Sequence, residues 1–128
     1  MNSRFPLLAA GLLGATGVGL GAFGAHALHA SLQARGTLGT WETAVHYQLV
    51  HAVALLGAAA WRRADGSRTL AWVVRAWTAG AVLFSGSLYL LALGGPRWLG
   101  PVTPLGGAAL IAGWLGVAAA AWRLPHES

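Results

Sequence analysis

Four apolar segments dominate this chain and limit what it can fold into. They lie near residues 6–28, 43–62, 70–94 and 103–122. A helix needs about 20 predominantly apolar residues to cross the roughly 30 Å hydrocarbon core of a bilayer. Short connections place consecutive helices antiparallel, and the chain is too short for a second domain of ordinary size. The sequence therefore predicts one all-α domain over residues 1–128, an integral membrane antiparallel four-helix bundle with short loops.

The composition favours a lipid environment over water. Hydrophobic residues make up 56% of the chain and charged residues 9%, whereas soluble domains carry about 25% charged residues. All eight basic residues are arginine, and most flank the apolar segments instead of forming one patch. This placement of the charges is typical of a membrane-topology signal. The net charge of +5 is therefore not taken to indicate a nucleic-acid partner, and none is predicted. The chain has no cysteine, which excludes disulfides, thiolate metal sites and a cysteine nucleophile.

The positions of the arginines predict the orientation. One side of the bundle carries Arg4, Arg62, Arg63, Arg68 and Arg123, with Arg75 slightly inside the third segment, and the other side carries Arg35 and Arg97. Cytoplasmic flanks are the ones enriched in arginine and lysine, so both termini are predicted to be cytoplasmic. An alternative stays open at the N-terminus: the apolar run and the pattern Ala25-His26-Ala27 also resemble a signal peptide with its cleavage site, whose removal would leave three spans.

Stripes of small residues favour four retained helices. The first segment carries Gly14, Gly17, Gly21 and Gly24, and the fourth carries Ala109, Gly113, Gly116 and Ala120, all at spacings of three and four. Such a stripe lets a neighbouring membrane helix approach closely, and an excised signal peptide has no need of one. Close packing is also predicted at Gly86, Gly106 and Gly107.

Polar residues gather at one level of the predicted bundle. The stretch WETAVHYQLVHA (41–52) begins the second helix, for which Thr40 is the predicted cap. At about 1.5 Å per residue from Trp41, His51 lies about 15 Å deep, close to the midplane. The ends of the other helices bring further polar side chains to the same outer half. The predicted polar network consists of His26, Tyr47, Gln48, His51, Ser85, Ser87, Tyr89 and Thr103.

Different interpretations of this network stay open. Ionisable groups inside a membrane are functional candidates, so His26 and His51 could bind a small ligand, a proton, a metal ion or haem. In the structural interpretation His51 makes an interhelical hydrogen bond to Ser85 or Ser87. Glu42 is then stabilised by the helix dipole and can pair with His46.

The sequence predicts no catalytic residues, cofactor or metal site. The motifs G-x-S-x-G and H-E-x-x-H are absent, so an enzymatic activity has no support and a non-enzymatic protein is favoured. The predicted partner is the lipid bilayer. The small size of the chain also suggests a homo-oligomer or an accessory subunit of a larger membrane complex.

Four motifs, one per segment and in order along the chain, resemble a known family. They are GAFGAHAL (21–28), WETAVHYQLVHA (41–52), LFSGSLYLLAL (83–93) and GPVTPLGGAALIAGW (100–114). They are similar to the motifs of the YgdD-like small inner-membrane proteins, the domain of unknown function 423 family. The resemblance implies a multi-pass protein of the bacterial inner membrane with no established biochemical activity. By position, the family pattern singles out His26, Tyr47, Gln48, His51, Ser85, Gly86, Ser87, Tyr89, Thr103, Pro104, Gly106 and Gly107.

Overall fold

A computed structural model describes residue 2 and residues 4–127, and this part of the chain is helical throughout its regular structure. The helices are α1 (Arg4–Ala25), α2 (His29–Arg35), α3 (Leu38–Asp65), α4 (Arg68–Ala92) and α5 (Val102–Trp122), with one 3-10 turn at Arg97–Leu99. The four long helices, the last extended by the 3-10 turn, are long and apolar enough to cross a membrane. The predicted all-α bundle is confirmed.

The four long helices pack in the order in which the chain visits them. α1 packs on α3, α3 on α4, and α4 on α5. An inner core joins all four helices, and it is formed by Ala9, Ala10, Leu55, Ala58, Val73, Val74, Trp77, Ala81 and Leu110. A second cluster, at the end of the bundle where α1 connects to α3, contains Leu32, Trp41 and Ala92. Large apolar side chains such as Leu12, Val53 and Ile111 are exposed, as expected of a surface that faces lipid.

Small residues bring α1 against α3. Gly14, Gly17, Gly21 and Gly24 of α1 face Ala52, Leu49, Val45 and Trp41 of α3, in that order. A Cβ atom at Gly17 would lie 2.7 Å from Leu49 Cδ2, and one at Gly24 would collide with Cδ1 and Nε1 of the Trp41 ring. A larger side chain at either position would therefore force Leu49 or Trp41 to move, or α1 to shift away from α3.

α4 and α5 approach each other in the same way. Gly113 of α5 lies against the Trp77 ring, and Gly106 lies against the backbone of Phe84. The packing prediction for Gly86 is wrong, since a Cβ atom there would meet nothing within 4 Å. The face of α4 that meets α5 carries Gly80 instead, where a Cβ atom would lie 2.8 Å from Leu110 Cδ2.

The connection between α1 and α3 is held to the end of α4. α3 begins at Leu38, so the prediction that Thr40 caps this helix is wrong. Thr37 precedes the helix, and its hydroxyl donates to the carbonyl oxygen of Ala92 at 2.8 Å. Leu32 of α2 is fully buried in the second cluster. These contacts fix where α3 starts, and they set the height of the polar residues along it.

Candidate functional site

Gln48 joins three helices through its side-chain amide. It is buried in the middle of α3. Its Nε2 donates to the carbonyl oxygen of Leu13 at 2.9 Å and to Thr16 Oγ1 at 2.8 Å, both in α1. The hydroxyl of Tyr89 in α4 donates to Gln48 Oε1 at 2.6 Å. One amide thus uses both its donors and an acceptor to link α1, α3 and α4.

His51 uses both of its ring nitrogens. The residue is 3% exposed, and Nδ1 lies 2.7 Å from the carbonyl oxygen of Tyr47. Trp114 Nε1 in α5 donates to His51 Nε2 at 3.0 Å. An indole N–H can only donate, so Nε2 carries a lone pair and Nδ1 carries the hydrogen. His51 is therefore a neutral imidazole that connects α3 to α5.

Ser85 and Ser87 form hydrogen bonds with other partners than the predicted His51. Ser85 Oγ donates to the carbonyl oxygen of Ala44 at 2.7 Å, and Ser87 Oγ lies 2.6 Å from Thr103 Oγ1. Neither contacts His51, so the predicted hydrogen bond from His51 to a serine is wrong. Ala44 precedes His51 by seven residues, or about 10 Å along α3, which places Ser85 well above the imidazole.

Aromatic rings surround His51. The rings of Trp77 and Trp114 lie 4.5 Å apart between centroids, and the Trp77 ring meets the His51 ring edge-on at 5.9 Å. Tyr47 packs against Phe84 at 4.7 Å. A cavity of about 250 Å³ opens between α3 and α5 beside these side chains. The imidazole thus lies among aromatic rings and lines the cavity beside them.

The remaining predicted residues lie apart from this centre. His26 follows the last residue of α1 and is exposed. Gly24 packs on Trp41, which precedes His51 by ten residues, so about 15 Å along the helix axis separates the two levels. The structure therefore does not bring His26 and His51 together. Within residues 4–127, no group of three His, Cys, Asp or Glu residues is placed to hold one metal ion.

Glu42 and His46 also face outward. Both are exposed on α3, and no hydrogen bond or ion pair joins them within residues 4–127. The structural pairing suggested for these two side chains is therefore wrong.

Several residues of the site were not among those predicted. Trp77 and Trp114 form the ring cluster around His51, and Thr16 binds Gln48. Trp41 Nε1 donates to the carbonyl oxygen of Leu20 at 2.9 Å. A signal was present for two of them: Trp77 and Trp114 lie in the middle of their helices, whereas an aromatic belt places tryptophan near the ends.

Comparison with known sequences identifies a family whose matched region includes this site. The family model described as "Protein of unknown function (DUF423)" matches residues 20–107, which include Gln48, His51 and Tyr89. The chain belongs to this family. It is 42% identical to UPF0382 inner membrane protein YgdD of Escherichia coli (strain K12) over 127 residues, 99% of this chain and 96% of the relative.

Other relatives come from Bacillus and Staphylococcus. The chain is 44% identical to UPF0382 membrane protein YwdK of Bacillus subtilis over 110 residues, 81% of this chain and 85% of the relative. It is 46% identical to a UPF0382 membrane protein of Staphylococcus saprophyticus over 98 residues, 77% and 80% of the two chains. No solved structure gives a significant match. The protein is therefore a bilayer-embedded member of a family of unknown function, as the sequence motifs predicted.

Proposed function

We propose that this protein is a non-enzymatic helical membrane protein whose polar network fastens the four helices together. The observation that carries the proposal is that the buried polar side chains are satisfied inside the bundle. Gln48 uses both of its amide donors and its oxygen, both nitrogens of His51 have partners, and Ser85 donates to a backbone carbonyl. A site that takes up a ligand or carries protons would need a donor or acceptor free to change partners.

The energetics of membrane packing support this role. Apolar surface supplies little attraction between helices already surrounded by lipid, and an interhelical hydrogen bond contributes about 0.6 kcal/mol on average. Several such bonds at different heights act together with the glycine contacts. Because each bond has a fixed height and direction, the network selects one register of the helices.

Replacing His51 with leucine is expected to lower stability by about 1 kcal/mol and to change nothing else, because the substitution removes an interhelical hydrogen bond and leaves the Trp114 N–H unpaired. The matched control is Trp114→Phe, which removes the same bond from α5. Unfolding in mild detergent should give similar losses for both variants. If His51 binds a ligand directly, His51→Leu would lose the bound species while Trp114→Phe retained it.

An optical spectrum and a metal analysis of protein extracted gently from its own membrane complete this test. We expect no haem absorption band and no metal in proportion to the protein. Either signal would contradict the proposal and would favour a ligand, proton or metal function at His51.

We further propose that both termini lie in the cytoplasm, with the protein in the bacterial inner membrane. The last turn of α3 carries Arg62 and Arg63, and α4 begins at Arg68. Arg123 follows α5 and donates to Thr69 Oγ1 of α4 at 3.1 Å. This end of the bundle therefore holds most of the arginines, as cytoplasmic ends do.

Single cysteines test the orientation, since the chain has none of its own. Ala64→Cys and Ala30→Cys lie at opposite ends of the bundle, and both alanines are exposed. In intact cells an impermeant maleimide is expected to label the cysteine at position 30 and not the one at position 64. The cysteine at position 64 should be labelled only after the membrane is permeabilised. The reverse pattern would invert the proposed topology.

Self-association or membership of a larger membrane complex is also proposed. The outward face of α1 carries Gly11, Ala15 and Gly19, and a Cβ atom at either glycine would meet nothing within 4 Å. Small residues four apart are a common contact between membrane helices. The mass of the protein in the gently extracted sample tests this association. A lone species of 13.1 kDa would contradict it.

A further inference from the structure

A groove runs between α1 and α4 on the lipid-facing surface. Two cavities, of about 410 Å³ and 310 Å³, share Phe5, Thr78 and Val82 as lining residues and so form one continuous depression. Leu8 and Leu12 of α1 line its apolar part. The groove extends about 12 Å along each helix, close to the roughly 15 Å half-thickness of the hydrocarbon core.

Arg75 lines the same groove near the arginine-rich end of the bundle. The side chain is exposed, and it makes no hydrogen bond or ion pair within residues 4–127. It lies three residues, about 4.5 Å, beyond the exposed Trp72, and exposed tryptophans of membrane helices mark the interface. A long arginine side chain at this height can extend its guanidinium to the level of the lipid phosphates.

We propose that this groove binds one anionic phospholipid from the leaflet on the arginine-rich side. The guanidinium of Arg75 binds the phosphate through paired hydrogen bonds, and an acyl chain lies along Phe5, Leu8 and Val82. Charge complementarity selects this occupant. A soluble anion would leave the apolar groove empty. A lipid without net charge offers the same phosphate but adds a headgroup cation, which the arginines at this end of the bundle repel. The other arginines at this end add attraction for the same class of lipid.

Native mass spectrometry of the whole protein tests the headgroup contact. The protein is released from micelles that contain equal amounts of phosphatidylglycerol and phosphatidylcholine with identical acyl chains. We expect one retained phosphatidylglycerol per chain, favoured about fivefold over phosphatidylcholine. Arg75→Gln should abolish this preference. The control Arg97→Gln removes an exposed arginine at the opposite end of the bundle and should leave the preference unchanged.

A second pair of variants tests the groove itself. Val82→Trp fills the groove while Arg75 stays in place, and Val53→Trp adds the same side chain to an exposed position on α3. Because both valines are exposed, both variants should elute and unfold like the wild type. Val82→Trp should lose the retained lipid, and Val53→Trp should keep it.

Three results would overturn the proposal. These are equal effects of the two arginine variants, retention of the lipid by Val82→Trp, and release of the lipid by inorganic phosphate, which would indicate a simple anion site.

Discussion

Replacing Gly106 with alanine is expected to force α4 and α5 apart and to lower the free energy of unfolding by about 2 to 3 kcal/mol. A Cβ atom at Gly106 would collide with the backbone nitrogen and Cα of Phe84. A side chain could rotate out of the way, but backbone atoms can move only if the helix moves. The shift would also break the contact between Ser87 and Thr103, which lies near the same crossing of the two helices.

Neighbouring glycines supply matched controls for this prediction. A Cβ atom at Gly107 would lie 3.6 Å from Phe84 Cδ2, an ordinary contact, and one at Gly86 would meet nothing within 4 Å. Gly107→Ala and Gly86→Ala should unfold no earlier than the wild type, because alanine is the better helix former by about 1 kcal/mol. Circular dichroism during thermal unfolding in mild detergent measures all three. If Gly106→Ala unfolded together with the controls, the backbone contact would not be as close as described.

The fold could be predicted from the sequence because lipid imposes few solutions. A chain whose backbone lies in hydrocarbon must form the backbone hydrogen bonds internally, as a helix does. Each apolar run long enough to cross the bilayer then predicts one helix. The start of α3 was less predictable. Thr40 looks like a cap, but the hydroxyl that fixes this region belongs to Thr37, and its partner is the carbonyl oxygen of Ala92. A contact between such distant parts of the chain leaves no local signal.

The candidate site could be predicted as a set of residues, but its pairings could not. Counting residues along a helix gives a height, and heights brought Gln48, His51, Ser85 and Tyr89 to the same half of the bundle. Pairing also depends on how each helix is rotated about its axis. Rotation decides that His51 meets Trp114 rather than a serine. It also turns Gly86 away from the α5 interface.

Replacing Gln48 with leucine is expected to lower the free energy of unfolding by about 2 kcal/mol, because it removes three hydrogen bonds at once. The carbonyl oxygen of Leu13 and Thr16 Oγ1 each lose a donor, and the Tyr89 hydroxyl loses its acceptor. Leucine has a similar size, so the loss reports the bonds rather than a cavity. The control is Thr43→Val in the same helix, since the Thr43 hydroxyl binds the carbonyl oxygen of Gly39 within α3 and holds no second helix.

A double-mutant cycle isolates the bond between α3 and α4. Tyr89→Phe removes the hydroxyl that donates to Gln48 Oε1 and keeps the ring that packs against Trp41. If this bond fastens the helices, the double variant should be less destabilised than the sum of the single losses, by about 0.5 to 1.5 kcal/mol. Strictly additive losses would mean that the two side chains act independently. The register of α4 would then depend on the glycine contacts and on its other hydrogen bonds, such as that from Ser85 to Ala44, and the bond between Gln48 and Tyr89 would not have the structural role proposed for it.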